Sequence, residues 1–137
     1  MSKPTLGIIG GGQLGSMLAI AANKLEIKTV IFCDDLDAPA QNFSNEFVHG
    51  KYNDQIKINE FINKVDVITY EFENIPYETL NEINKRKPVL PKPSVNRIIQ
   101  HRLAEKDFIN KLNIRTTQYA SIENKSEIDS LQDLLPG

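Results

Sequence analysis

Short apolar runs alternate along this chain with longer segments whose apolar residues recur at helical spacing. The runs predict strands at residues 5–9, 28–33, 46–49 and 67–70, with a fifth, very short strand at 88–91. The intervening segments predict helices at residues 16–22, 54–65 and 77–85. This alternation predicts an α/β fold with a doubly wound, mainly parallel, Rossmann-like sheet.

The pattern changes at residue 94, beyond which helical spacing dominates. We expect a helix over residues 94–112 that is interrupted near His101, an extended segment at 116–120 and a second helix at 126–135. The change divides the chain into a Rossmann-like domain, residues 1–93, and a mainly helical region, residues 94–137.

The composition of the 137 residues is that of an ordinary globular chain, with 40% hydrophobic residues and a net charge of −2. One cysteine and two histidines are too few for a disulfide scaffold or a zinc site, so we expect no metal ligands here. The sequence contains neither a signal peptide nor an apolar run of about 18 residues. We therefore expect a cytoplasmic protein with no membrane partner.

The charge is distributed unevenly. Residues 85–115 contain nine basic and two acidic side chains, a local charge of +7, and the rest of the chain carries −9. This basic segment favours anions. It lacks interleaved aromatic residues, so we expect no nucleic-acid partner.

A glycine-rich turn separates the first predicted strand from the first helix. Five of the seven glycines lie within residues 7–15, and the turn reads Gly10-Gly11-Gly12-Gln13-Leu14-Gly15. The free amides at the start of a helix attract a phosphate or a carboxylate. The other interpretation is that the glycines only allow close packing of helix and sheet.

Two pairs of carboxylates follow predicted strands. Asp34 and Asp35 end the second strand, where a dinucleotide fold places a carboxylate on the NAD ribose, although a solvated loop pair fits equally well. Glu71 and Glu73 follow the fourth strand, and on extended backbone they would point the same way and share a ligand amine or hydroxyl. Alternatively, one caps the helix that begins near Pro76 and the other is solvated.

Two basic residues, Arg102 and Lys106, lie one turn apart on the helix that follows His101. Alone, they are typical of a solvated helix face. The chain offers no defensible nucleophile–base arrangement and no P-loop motif.

Four motifs occur in a characteristic order: G-G-G-Q-L-G-S-M-L at 10–18, T-Y-E-F-E-N-I at 69–75, P-K-P-S at 91–94 and H-R-L-A-E-K-D-F at 101–108. In this combination the chain resembles the 5-(carboxyamino)imidazole ribonucleotide synthetases, ATP-grasp enzymes of purine biosynthesis. The resemblance implies a pre-ATP-grasp domain to residue 93, followed by the first part of an ATP-grasp region. It also implies an ATP-dependent carbon–nitrogen ligase that carboxylates 5-aminoimidazole ribonucleotide with bicarbonate and releases ADP and phosphate.

The resemblance also assigns site residues and a homodimer. The residues implied to contact the aminoribonucleotide are Gly12, Gln13, Leu14, Glu71 and Glu73. Arg102 matches an arginine that reaches ATP.

The chain stops before the lysine-bearing strands, the phosphate-covering loop and the acidic Mg²⁺ ligands of an ATP-grasp site. We therefore expect a truncated enzyme, with ATP and Mg²⁺ acting in the full-length protein, no catalytic residue in this portion and no activity from it alone. Two other hypotheses stay open: an NAD(P)-binding Rossmann domain of an oxidoreductase, and a non-catalytic binding or dimerisation module.

Overall fold

Four parallel strands in the order β3-β2-β1-β4 form one sheet. The structure is a computed structural model that describes residues 3–130, with side chains described for residues 3–128. The strands are β1 (Leu6–Ile9), β2 (Thr29–Cys33), β3 (Glu46–His49) and β4 (Val67–Tyr70). The predicted parallel sheet is confirmed, and the fifth strand is reduced to a single bridge between Ile68 and Val89.

Helices connect and follow these strands. Their bounds are α1 (Gln13–Lys24), α2 (Gln55–Ile62), α3 (Tyr77–Asn84), α4 (Pro93–Ile99), α5 (Arg102–Lys111) and α6 (Ser126–Ser130), with a 3-10 turn at Pro39–Phe43. Asp54 caps α2, since its Oδ1 accepts hydrogen bonds from the N–H groups of Ile56 and Lys57 at 3.0 and 3.2 Å. The part of the predicted last helix beyond Ser130 lies outside the described residues.

Helices cover both faces of the sheet, as a doubly wound fold requires. Because side chains alternate along a strand, β2 contributes buried residues to two separate cores. The core on the side of α2 and α3 includes Ile9, Val30, Phe32, Phe61, Ile68 and Leu80. The core on the side of α1 includes Ile8, Ala19, Ile31, Cys33 and Ala40. All five residues of β2 are buried, which is typical of a central parallel strand.

Contacts divide the chain into two units, Met1–Gln100 and His101–Gly137. The first unit contains the sheet and α1 to α4, so α4 is grouped with the sheet. The boundary predicted at residue 93 between two enzymatic regions stays a prediction. Within residues 3–130, no helix is long and apolar enough to cross a membrane.

The second unit begins with α5. His101 Nδ1 accepts a hydrogen bond from the Ala104 N–H at 3.4 Å, which explains the helix break predicted at this residue. The segment 116–120, predicted to be extended, forms no strand and is attached to α5 by side chains. Asn110 Nδ2 donates to Thr116 Oγ1 and to the Tyr119 hydroxyl, at 3.1 and 3.2 Å.

Candidate functional site

The glycine turn brings the start of α1 close to the end of β4. Gly10 has φ +102°, a conformation that L side chains rarely adopt, and a Cβ there would collide with the Glu71 side chain. At Gly15 a Cβ would lie 2.7 Å from the Gly10 carbonyl oxygen. Both positions therefore need glycine for the close approach of helix, turn and strand end.

The carboxylate of Glu71 occupies the amino end of α1. β1 and β4 are neighbours, and the Glu71 N–H donates to the Ile9 carbonyl at 3.1 Å. The Glu71 side chain then reaches α1, where Oε1 accepts from the Gly12 N–H at 2.7 Å and Oε2 accepts from the Gly15 N–H. The anion expected at the glycine turn is thus supplied by the chain itself.

This contact corrects the capping alternative. Glu71 does cap a helix, but the helix is α1, whereas α3 begins after Pro76 without a side-chain cap. A carboxylate at a helix amino terminus is favourable because the macrodipole places positive charge there, an effect of typically 0.3–1 kcal/mol at an exposed site. Glu71 therefore joins the end of β4 to the start of α1.

Two amides in the first turn of α1 stay open. The N–H groups of Gln13 and Leu14 have no acceptor among the described residues, in contrast to those of Gly12 and Gly15. Gln13 is exposed, and the Leu14 side chain is 56% exposed. This turn therefore offers two free donors next to an internal carboxylate.

Glu73 differs from Glu71 in its surroundings. Because β4 ends at Tyr70, both glutamates lie in the turn beyond the strand, where strand alternation does not apply, and they share no partner. The Glu73 side chain is exposed, and its carboxylate makes no hydrogen bond or ion pair within the part of the chain that the structure describes. Its neighbour Phe72 packs against Tyr52, with ring centroids 6.4 Å apart.

Sequence reasoning missed two residues that hold this turn, Asn96 of α4 and Gln100, which directly follows α4 as its C-cap. Asn96 Nδ2 donates to the Ile75 carbonyl at 3.0 Å. Gln100 Nε2 donates to the carbonyls of Glu73 and Ile75 at 2.7 and 2.6 Å. Their spacing of four residues on a predicted helix was the available signal, since it places both amides on one face.

Asp34 and Asp35 lie in an exposed loop after β2. Asp35 Oδ1 accepts from the Asp37 N–H at 2.9 Å, and the Asp34 carbonyl lies 3.2 Å from His49 Nε2. In a dinucleotide fold the pyrophosphate binds at the first helix amino terminus, which Glu71 occupies in this chain. The negative charge of Glu71 opposes a pyrophosphate there. The structure therefore argues against NAD binding at this turn.

Two tyrosines near this edge of the sheet have perturbed acidity. Burial and the adjacent Cys33 raise the pKa of Tyr52, whose hydroxyl donates to Cys33 Sγ at 3.8 Å. Burial also raises the pKa of Tyr70. Both side chains therefore stay neutral at physiological pH.

Arg102, assigned to ATP by resemblance, belongs to the second unit and begins α5. Its Nη1 lies 2.7 Å from Glu105 Oε2, and the arginine side chain is 78% exposed. Lys106 has other partners, with Nζ 3.1 Å from Thr117 Oγ1 and 5.4 Å from the ring centroid of Tyr119. Arg102 is thus accessible to an anion, which would compete with the Glu105 carboxylate.

The sequence predicts no metal ligands in this chain. Among the residues that the structure describes, no three His, Cys, Asp or Glu side chains form a group that could hold a metal ion.

The family assignment follows from comparison with known proteins. The family described as "Ribonucleotide synthetase preATP-grasp domain" matches residues 3–100, a range that contains the glycine turn, both glutamates and α4. The chain belongs to this preATP-grasp family. The resemblance inferred from the four motifs and the α/β fold class are confirmed.

Relatives of this preATP-grasp chain are purine-synthesis proteins. It is 42% identical over 126 residues to the bifunctional purine synthesis protein purC/E of Dictyostelium discoideum, covering 92% of this chain and 13% of that protein. It is 34% identical to N5-carboxyaminoimidazole synthetase from Staphylococcus aureus, solved with ADP, with a TM-score of 0.87 over 96% of this chain and 35% of that one. An Aspergillus clavatus synthase structure with ADP and 5-aminoimidazole ribonucleotide is 28% identical, with a TM-score of 0.75 over 85% of this chain and 31% of that one.

The preATP-grasp chain spans about a third of the length of the N5-carboxyaminoimidazole ribonucleotide synthases that it matches, 35% and 37% in two curated examples.

Proposed function

We propose that this chain forms the aminoribonucleotide-binding, amino-terminal part of an ATP-dependent carbon–nitrogen ligase. The reaction is the carboxylation of 5-aminoimidazole ribonucleotide with bicarbonate to N5-carboxyaminoimidazole ribonucleotide, with release of ADP and phosphate, in purine biosynthesis. The observation that carries this proposal is that open amides follow β1 and a free carboxylate follows the neighbouring parallel strand β4, in a chain of the preATP-grasp family.

The open amides and the free carboxylate suit opposite edges of the substrate. The N–H groups of Gln13 and Leu14 donate to an uncharged polar edge, because the Glu71 carboxylate already balances the positive end of α1. Glu73 accepts hydrogen bonds from the exocyclic amine or the ribose hydroxyls, since an ionised carboxylate only accepts. Contacts at both edges thereby orient the substrate, whose amine is the group that the reaction modifies.

Gly12 and Glu71 have different tasks in the proposed site. The Gly12 N–H is engaged by Glu71, and a Cβ at Gly12 would lie 3.0 Å from Glu71 Oε1, so Gly12 leaves room for the Glu71 carboxylate. Through this contact Gly12 shapes the turn that we propose binds the aminoribonucleotide. Glu71 acts by holding the turn that presents the amides of Gln13 and Leu14. Direct acceptance from the substrate is assigned to Glu73.

ATP with Mg²⁺ is the proposed cosubstrate. Relatives of this chain have been solved with ADP and, in one Aspergillus clavatus structure, with ATP. The Arg102 guanidinium forms charge-assisted hydrogen bonds with phosphate oxygens and stabilises the negative charge that moves during phosphoryl transfer. Mg²⁺ supplies further charge neutralisation at the phosphates when it is bound.

The remaining expectations from the family resemblance are proposals as well. We propose that residues 1–93 act as the pre-ATP-grasp domain and residues 94–137 begin the ATP-grasp region, within a cytoplasmic homodimer. Analytical ultracentrifugation over a range of chain concentrations tests the dimer, and a single species with the monomer mass contradicts it.

The binding proposal is tested by calorimetric titration of the chain with 5-aminoimidazole ribonucleotide and, separately, with NAD. We expect the ribonucleotide to bind and Glu73→Gln to weaken its affinity by about tenfold or more, because a charge-assisted hydrogen bond contributes roughly 1.5–3 kcal/mol. Glu78→Gln is the matched control, since Glu78 is exposed on α3. Tight binding of NAD, or no binding of the ribonucleotide, contradicts the proposal.

A further inference from the structure

The turn that carries Glu73 is anchored at two apolar positions. Ile75 is fully buried in the core, and Phe72 packs against the same core. Glu73 lies between these anchors with its side chain exposed. The direction of its carboxylate therefore depends on how the backbone between Phe72 and Ile75 is held.

Helix α4 and its C-cap residue, Gln100, supply the hydrogen bonds that hold this backbone. Within the described residues, every hydrogen bond to the main chain of residues 72–75 comes from Asn96 or Gln100. The Gln100 amide has two N–H groups and makes one bond to the Glu73 carbonyl and one to the Ile75 carbonyl. Asn96 adds the second bond that the Ile75 oxygen can accept. The carbonyls on both sides of Asn74 are thus tied to one helix face.

The burial of Asn96 favours a geometric role for this contact. Asn96 is fully buried, and its Oδ1 has no partner among the residues described. A buried acceptor without a partner costs about as much as a neutral hydrogen bond contributes. An apolar side chain would avoid this cost but could not hold the Ile75 carbonyl, so the net value of Asn96 lies in geometry.

We propose that Gln100 and Asn96 are positioning residues that fix the turn and thereby direct the Glu73 carboxylate at the aminoribonucleotide. This inference rests on the proposed function, since it takes Glu73 as the direct acceptor. The competing interpretation is that α4 merely attaches to the sheet through these amides. In that case their loss lowers the free energy of unfolding but leaves the ligand affinity of the folded chain unchanged.

Gln100→Met and Gln100→Glu test the proposal, because both keep an unbranched side chain and remove the two donors. Gln55→Met is the matched control: Gln55 is exposed at the start of α2 and its side chain makes no hydrogen bond in the described structure. We expect each Gln100 variant to fold and to bind 5-aminoimidazole ribonucleotide about tenfold more weakly. The affinity of Gln55→Met for the ribonucleotide should stay within about twofold of that of the wild type.

A double-mutant cycle with Glu73→Gln separates positioning from a general structural effect. If Gln100 acts through Glu73, adding Gln100→Met to Glu73→Gln causes little further loss of affinity. Losses that multiply, about a hundredfold for the double variant, overturn the proposal, as do Gln100 variants that bind like the wild type while Glu73→Gln binds weakly. If the wild-type chain does not bind the ribonucleotide, the proposed function itself falls and this inference with it.

Discussion

At the scale of single residues, Glu71 decides which anions can approach α1. Its carboxylate accepts from the amides of Gly12 and Gly15, the position at which related nucleotide folds receive a pyrophosphate. Glu71 thus has two effects: it stabilises the start of α1, and its charge repels the pyrophosphate of a dinucleotide. The open amides of Gln13 and Leu14 lie beside it, so ligand binding at this turn depends on Glu71 without requiring contact with it.

Replacing Glu71 with alanine should lower the free energy of unfolding by about 1–3 kcal/mol, since it removes a helix cap and leaves two amides of α1 unpaired. Urea unfolding followed by circular dichroism measures the change. Glu73→Ala removes an exposed carboxylate, so its free energy of unfolding should stay within about 0.5 kcal/mol of the wild-type value.

Acetate provides an independent check on this role of Glu71. At constant ionic strength, it should raise the melting temperature of Glu71→Ala, because a small carboxylate can occupy the vacated amides and binding to the native state stabilises it. An equal response of the wild type would show that Glu71 does not fill this site.

Tyr52 gives a second prediction at the residue scale. Burial and the adjacent Cys33 raise its pKa in the folded chain, whereas in the unfolded chain it ionises near its ordinary value of about 10. The unfolded state therefore releases a proton first, and the stability that Tyr52 contributes is lost as the pH rises above about 10. Between about pH 9 and 11, the free energy of unfolding should fall less steeply with pH in Tyr52→Phe than in the wild type. An equally steep fall in the two proteins, measured by urea unfolding at each pH, contradicts the assignment.

At the scale of secondary structure, short apolar runs predicted β3 and β4 at their observed bounds. Burial of β2 on both faces likewise appears in the sequence as five consecutive apolar or β-branched residues. The pattern could not reveal the partners of these elements. Glu71 and Gly12 are 59 residues apart, and Gln100 and Glu73 are 27 apart. Such contacts depend on which strands become neighbours, which local periodicity does not determine.

The close approach of α1 to the glycine turn predicts whether replacing Gly15 stabilises or destabilises the chain. Alanine at Gly15 would gain roughly 1 kcal/mol in helix propensity, but its Cβ would lie 2.7 Å from the Gly10 backbone oxygen and 3.1 Å from Glu71 Oε2. Neither neighbour can move without disturbing the turn or the cap. We expect Gly15→Ala to destabilise the chain by about 1–3 kcal/mol in thermal or urea unfolding.

Ala21→Gly, at an exposed position of the same helix, provides the control. It should cost about 1 kcal/mol from propensity alone. If Gly15→Ala instead stabilises the chain, the close approach does not limit this helix, and the packing argument is wrong.

At the scale of the whole molecule, binding and phosphoryl transfer make different demands on the chain. The first unit contains open amides and a free carboxylate, the groups that the proposed binding of an aminoribonucleotide requires. The residue assigned to ATP, Arg102, is a single exposed guanidinium that is already paired with Glu105. Phosphoryl transfer needs several cationic groups and Mg²⁺ arranged around the phosphates.

We therefore expect these 137 residues to bind 5-aminoimidazole ribonucleotide without supporting ribonucleotide-dependent release of ADP from ATP. A coupled assay for ADP measures the release, with the full-length Staphylococcus aureus relative as the positive control under the same conditions. Release by this chain that depends on the ribonucleotide and disappears in Arg102→Ala would show that the catalytic groups lie within these residues. Release that survives Arg102→Ala would instead remove Arg102 from the proposed ATP site.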